Sequence, residues 1–192
     1  MEFASVFSSF GCKVTIVEAM ERILPTMDRE ISQSLSMTLK KRGVEIYTGA
    51  MVEKLEQENG KLICHFTQKG TAQSVPAAQV LVAIGRRPNT EGLFGEGFQL
   101  EMERGRIVTD EHFRTSVDSI YAIGDVTAKI QLLIWRVHRE FVQHTSLREK
   151  SRPIQLNTVP GCIYTDPEIA SVGLTEEECK TTVYPGEKGK LS

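Results

Sequence analysis

Apolar side chains recur at helical spacing from Glu2 to Phe10, and Gly11 ends the run. This predicts a helix. Lys13–Val17 is rich in β-branched residues and predicts a short strand, with Glu18 directly after it. A second helix is expected from Asp28 to about Lys41. Ile31, Leu35 and Leu39 share one face of it, Asp28 suits the N-cap, and Gly43 lies just past the last turn. Val44–Tyr47 begins another strand. Alternation around Met51–Glu56, Lys61–Phe66 and Ala72–Val75 predicts a small antiparallel meander, with Asn59-Gly60 as its sharpest turn. The apolar run Val80–Ile84 reads as a strand closing this first unit. Arg86-Arg87-Pro88-Asn89-Thr90 is punctuation and marks a domain boundary. Beyond it, Arg106–Val108 and Ser119–Ile123 read as short strands of a second unit, and Pro153 to Gly161 as a linker or strand entry to a third. Helix and strand alternating ahead of a meander is an α/β pattern.

Composition narrows the picture. The 192 residues, 40% hydrophobic, suffice for one or two domains with a sizeable core. A net charge of -2 gives no broad basic field, so neither nucleic acid nor an anionic membrane is an expected partner. No apolar run spans a bilayer, and the opening lacks a signal peptide's features, so a cytoplasmic location is expected. Cys12, Cys64, Cys162 and Cys179 show no close pairing and read as ordinary reduced thiols. His65, His112, His138 and His144 have no metal-ligand spacing, so no metal is expected. Ser171 has neither a nucleophile elbow nor a histidine partner around it.

Three segments carry candidate chemistry. Ile120-Tyr121-Ala122-Ile123-Gly124-Asp125-Val126 is a buried-strand pattern ending in a glycine turn that presents one carboxylate. Val80–Ile84 ends the same way, at Gly85-Arg86-Arg87-Pro88-Asn89. Ile163-Tyr164-Thr165-Asp166-Pro167-Glu168-Ile169-Ala170-Ser171-Val172-Gly173-Leu174-Thr175 follows downstream. Taken alone, a Gly-Asp after a strand is usually only a turn, Glu18 is as well explained as a solvated strand end, and Val52 as plain core.

In this order the three segments closely resemble the pyridine nucleotide–disulfide oxidoreductases, the dihydrolipoyl dehydrogenases in particular. The resemblance implies partial Rossmann-like NAD- and FAD-binding domains of a flavoprotein with two dinucleotide-binding domains, plus the start of an α+β dimerisation domain. The implied division is 1–87 for the NAD-binding part, 88–150 for the FAD-binding part and 151–192 for the start of the dimerisation domain. Met1-Glu2-Phe3-Ala4 resembles the family just after the last glycine of the first phosphate loop, so that loop and its strand are expected to be missing. Glu18 would bind the adenosine ribose hydroxyls, the role of an acidic residue about 20 positions beyond the glycine turn. Its charge would repel a 2′-phosphate, which favours NAD over NADP. Val52, Ala83, Ile84, Gly85 and Arg86 would touch NAD as well, and Glu2 would lie near the nicotinamide. Asp125 would accept a hydrogen bond from the ribityl chain of FAD. Asp166-Pro167-Glu168 would have a structural role.

One stretch departs from the family. From Leu133 to about Lys150 the resemblance vanishes, and it returns at Ser151-Arg152-Pro153-Ile154. Permissible codons for Trp135–Val142, read one base out of frame, give Ala-Ser-Ala-Gln-Gly-Ile-Cys, which looks like the family's helix at that place. Gln143 to Lys150 shifts similarly. Two compensating frameshifts are expected, the alternative being a genuine basic amphipathic insert. Arg136, Arg139 and Arg148 lack the wider basic surface that a nucleic-acid role would need. Proteolysis is expected to cut first between Thr127 and Arg152, and the strand Ile120–Ile123 to stand with an exposed edge and face.

In the family, electrons pass from dihydrolipoamide through a redox disulfide to FAD and then to NAD. This chain shows neither the paired active-site cysteines nor the His–Glu acid–base pair, so no catalytic residue is assigned. The expected activity is that of an inactive fragment. The intact enzyme would be a homodimer serving lipoyl-bearing 2-oxoacid dehydrogenase or glycine cleavage components. A non-catalytic nucleotide-binding or dimerising module is the alternative, as is a fragment of a mercuric reductase or NADH oxidase relative.

Overall fold

The computed structural model describes residues 1–110, 112–127 and 160–181 of a mixed α/β protein. Its chain divides into two compact units. One holds Met1–Val82 with the described residues from Cys162 onward, and the other the described residues from Ala83 to Gly161. The divergent stretch 133–150 and the expected protease-sensitive stretch lie outside the described residues, as does most of Pro153–Gly161.

The first unit opens with helix α1 (Glu2–Ser9) and strand β1 (Thr15–Val17). Helix α2 (Arg29–Lys41) then leads to β2 (Glu45–Tyr47), which runs parallel to β1 with Ile16 opposite Ile46. Both helices end as their glycines require. Gly11 and Gly43 adopt φ of 80° and 85°, and each helix closes with a pair of backbone bonds. For α2 these run from Gly43 N–H to the Lys40 carbonyl and from Val44 N–H to the Leu39 carbonyl. The apolar face of α2 buries Leu35 and Leu39, which pack with Ile23 and Val44 beneath the parallel pair. Each leucine so buried contributes about 1.5–3 kcal/mol.

Ile31 does not complete that face. It is 39% exposed, and Ser32 takes the buried position instead. The Ser32 hydroxyl donates to the Ile23 carbonyl at 2.5 Å, next to Leu24, whose φ is 50°. A tight left-handed turn leaves a carbonyl facing the helix, and a small hydroxyl residue satisfies it where isoleucine has no donor. Asp28 holds the N-cap position as expected, but its carboxylate accepts the N–H of Glu176 at 2.7 Å rather than capping its own helix.

The expected meander is present and longer than its sequence signal. It consists of β3 (Ala50–Glu58), β4 (Lys61–Gln68) and β5 (Thr71–Ala77), antiparallel in that order. Asn59-Gly60 and Lys69-Gly70 both take two positive φ values, the type I′ geometry that matches strand twist. Phe66 in the central strand is buried against Tyr47, with ring centroids 5.0 Å apart.

Val80–Ile84 does not form a strand. Leu81, Val82 and Ile84 are 59%, 63% and 95% exposed. A β-ladder exists only where a neighbour supplies backbone groups, and among the described residues no strand pairs with this segment. In the second unit, Arg106–Val108 is reduced to β7 (Arg106–Ile107), paired with β6 (Met102–Glu103) across Arg104-Gly105. Ser119–Ile123 makes one isolated bridge, Tyr121 to Arg114, plus a backbone bond from Ala122 N–H to the Phe113 carbonyl. Two of its apolar side chains are nevertheless covered or partly covered. Ala122 is buried with Leu100 and Ile107, and Ile120 and Val126 pack against them, which corrects the expected exposed face at Ile120 and Ala122.

The remaining elements, β8 (Gly161–Ile163), β9 (Ile169–Ser171) and α3 (Glu176–Thr181), return to the first unit. Beyond the bond from Asp28, Arg22 donates to both oxygens of Glu177 at 2.9 and 2.5 Å, and Arg42 reaches Asp166 at 2.6 Å. Ile169 packs against the core around Leu35, so these polar contacts surround an apolar one.

Candidate nucleotide and flavin contacts

Glu18 stands at the C-terminal end of the parallel pair, the end at which open α/β sheets bind ligands. Its N–H donates to the Tyr47 carbonyl at 2.8 Å, and its own carbonyl accepts the N–H of Ala50 at 2.9 Å. The backbone is thereby tied to both the end of β2 and the start of β3. The residue is half-buried, and its Oε1 accepts the N–H of Met20 at 2.8 Å. That bond fixes the side chain's direction and leaves Oε2 as an acceptor. A pre-oriented carboxylate with one open oxygen can accept a bond from a hydroxyl group.

Val52 lies on β3 opposite Phe66 and is 44% exposed, so it is not plain core. The ladder register shifts between Val52 and Lys54. Ala83, Ile84, Gly85 and Arg86 belong to the second unit, in an extended turn that is exposed throughout. Gly85 has φ of 112°, a conformation that any side chain would strain. Glu18 and this turn therefore fall in different units.

The structure does bring Arg86 and Asp125 together. The Arg86 Nη1 lies 3.8 Å from Asp125 Oδ2, with both side chains well exposed. Asp125 sits in a single 3-10 turn, Gly124–Val126, rather than at the end of a strand. Gly124 has φ of 77°, and its carbonyl accepts both the N–H and the hydroxyl of Thr127 at 3.1 Å. This small closed turn turns the Asp125 carboxylate outward. An exposed ion pair at such a distance contributes about 0–1 kcal/mol, so it orients more than it stabilises.

Glu2, expected near the nicotinamide, accepts the N–H of Tyr164 at 2.9 Å. Ser5 on the same helix accepts the N–H of Asp166 at 3.2 Å. These contacts had no signal in the local sequence, because they join residues some 160 positions apart. Ser171 donates to the sulfur of Met27 at 3.1 Å, a packing role. No two of the four cysteines are joined in a disulfide, and among the described residues no three His, Cys, Asp or Glu side chains cluster as metal ligands. A groove of about 390 Å³ runs beside α2, lined among others by Arg22, Arg29, Ser36, Lys40 and Ile46. None of the candidate cofactor contacts lines it.

The parallel β1–α2–β2 unit is half of the α/β architecture on which dinucleotide-binding proteins are built. The chain belongs to the pyridine nucleotide-disulphide oxidoreductases, whose family model matches residues 1–146, and the dimerisation domain of the same family matches residues 159–191. It is 38% identical to a dihydrolipoyl dehydrogenase of Mycoplasma pneumoniae over 193 aligned positions, covering 100% of this chain and 41% of that protein. A mercuric reductase of Staphylococcus aureus is 36% identical over 95% of this chain and 34% of its own length. Among solved structures, LpdA from Mycobacterium tuberculosis superposes with a TM-score of 0.81 at 28% identity, and the HOCl-induced flavoprotein disulfide reductase RclA of Escherichia coli with 0.79 at 30%. These cover 94% of this chain and 39% and 41% of theirs. The chain spans about two fifths of the length of the curated dihydrolipoyl dehydrogenases it matches.

Proposed function

We propose that the chain is a fragment of a flavoprotein oxidoreductase of the dihydrolipoyl dehydrogenase type and is inactive alone. The intact protein would oxidise dihydrolipoamide and reduce NAD. The observation that carries this reading is identity at 38% to dihydrolipoyl dehydrogenases along the whole chain. Glu18 supports it, since its open Oε2 fits an adenosine ribose hydroxyl and its charge disfavours a 2′-phosphate. Asp125 fits a hydroxyl of the flavin's ribityl chain, and Val52 and Ala83–Arg86 are assigned to the nicotinamide dinucleotide. FAD supplies the two-electron relay when bound, while these residues orient the two cofactors.

In the intact protein, 1–87 would serve the NAD domain, 88–150 the FAD domain and 151–192 the dimer interface. It would act as a cytoplasmic homodimer on lipoyl-bearing 2-oxoacid dehydrogenase or glycine cleavage components. The stretch 133–150 is read as the product of two compensating frameshifts.

Purified chain is expected to show no flavin absorption and no dihydrolipoamide-dependent formation of NADH, because paired thiols are needed to accept the electrons. Turnover above background would overturn the reading. A mercuric reductase fragment is the second reading, favoured by 36% identity to one such enzyme over 95% of the chain. Sequencing the gene with its flanks, then assaying the restored protein with dihydrolipoamide and with mercuric ion, separates the two. The same DNA is expected to restore the Ala-Ser-Ala-Gln-Gly-Ile helix; a read that confirms Trp135–Val142 in frame discards the frameshift.

A further inference from the structure

We draw no further inference here: the strongest candidate, the apolar face that Phe3, Phe7 and Phe10 leave exposed on and just after α1, carries nothing because nothing among the described residues shows what covers it.

Discussion

Glu177 joins distant parts of the chain through two arginines, one of which has little freedom to leave. Arg22 is only 23% exposed at its side chain, and besides Glu177 it donates to the carbonyls of Pro25 and Met27 at 3.1 and 3.3 Å. Arg29 adds a longer contact at 3.5 Å. The hydrogen bond from Arg22 holds the Glu177 carboxyl below its ordinary value, and Glu177 in turn pushes the guanidinium up. A carboxyl with a depressed folded pKa contributes stability that is present above its unfolded pKa and lost as pH falls through the folded one. Glu177→Gln is therefore expected to lower the thermal midpoint near neutral pH and to flatten the decline on acidification. Circular dichroism melts between about pH 7 and pH 3 read both effects. Identical midpoints for the two proteins at neutral pH would mean that the tie adds nothing to stability. At the same scale, Glu18 gains its direction from one backbone N–H, a contact only two residues away, whereas Asp125 owes its direction to the closed turn at Gly124.

Elements in this chain hold for different reasons, and substitutions separate them. Gly60 has φ of 78° with open space where a side chain would grow. Alanine there meets no neighbour, so its cost is backbone strain alone, about 1–2 kcal/mol. Leu39 is wholly buried in the core below the parallel pair. Leu39→Ala leaves a cavity and is expected to cost about 2–5 kcal/mol. Urea unfolding of both variants checks the order. A Gly60→Ala loss as large as that of Leu39→Ala would show that the meander and the βαβ core share one limiting contact. The parallel pair is only three residues long in each strand, and Ile16 and Ile46 pack on the core that holds Leu35 and Leu39 of α2. The meander is the opposite case, a ladder closed by two type I′ turns with one large buried side chain, Phe66, at its centre.

At the scale of the whole molecule, several large apolar side chains face outward. Phe3, Phe10, Leu81, Val82 and Ile84 are each more than half exposed, and Phe3 stacks on Phe7 with ring centroids 6.1 Å apart. Contiguous exposed apolar surface drives association in water. Light scattering of the purified chain is expected to show a mass that rises with concentration, and Phe3→Glu with Phe10→Glu to suppress the rise. A monodisperse monomer across the range would mean that these faces are tolerated as they stand.

What the sequence determined by itself was local or borne by motif. Gly11 and Gly43 ended their helices, Asn59-Gly60 set a hairpin, Leu35 and Leu39 marked a buried face, and the Gly85 and Gly124-Asp125 turns pointed to the family. Each depends on backbone geometry or periodicity within a few residues, which neighbours far along the chain do not alter. Tertiary structure decided the rest. Val80–Ile84 has the composition of a strand, yet a ladder requires a second chain segment whose presence composition cannot encode. Ser32 displaced Ile31 because the Ile23 carbonyl, nine residues back, needed a donor. Glu2 and Asp28 spent their carboxylates on N–H groups near the far end of the chain, at Tyr164 and Glu176. A carboxylate's partner is fixed by distance in space, and only the folded chain sets that distance.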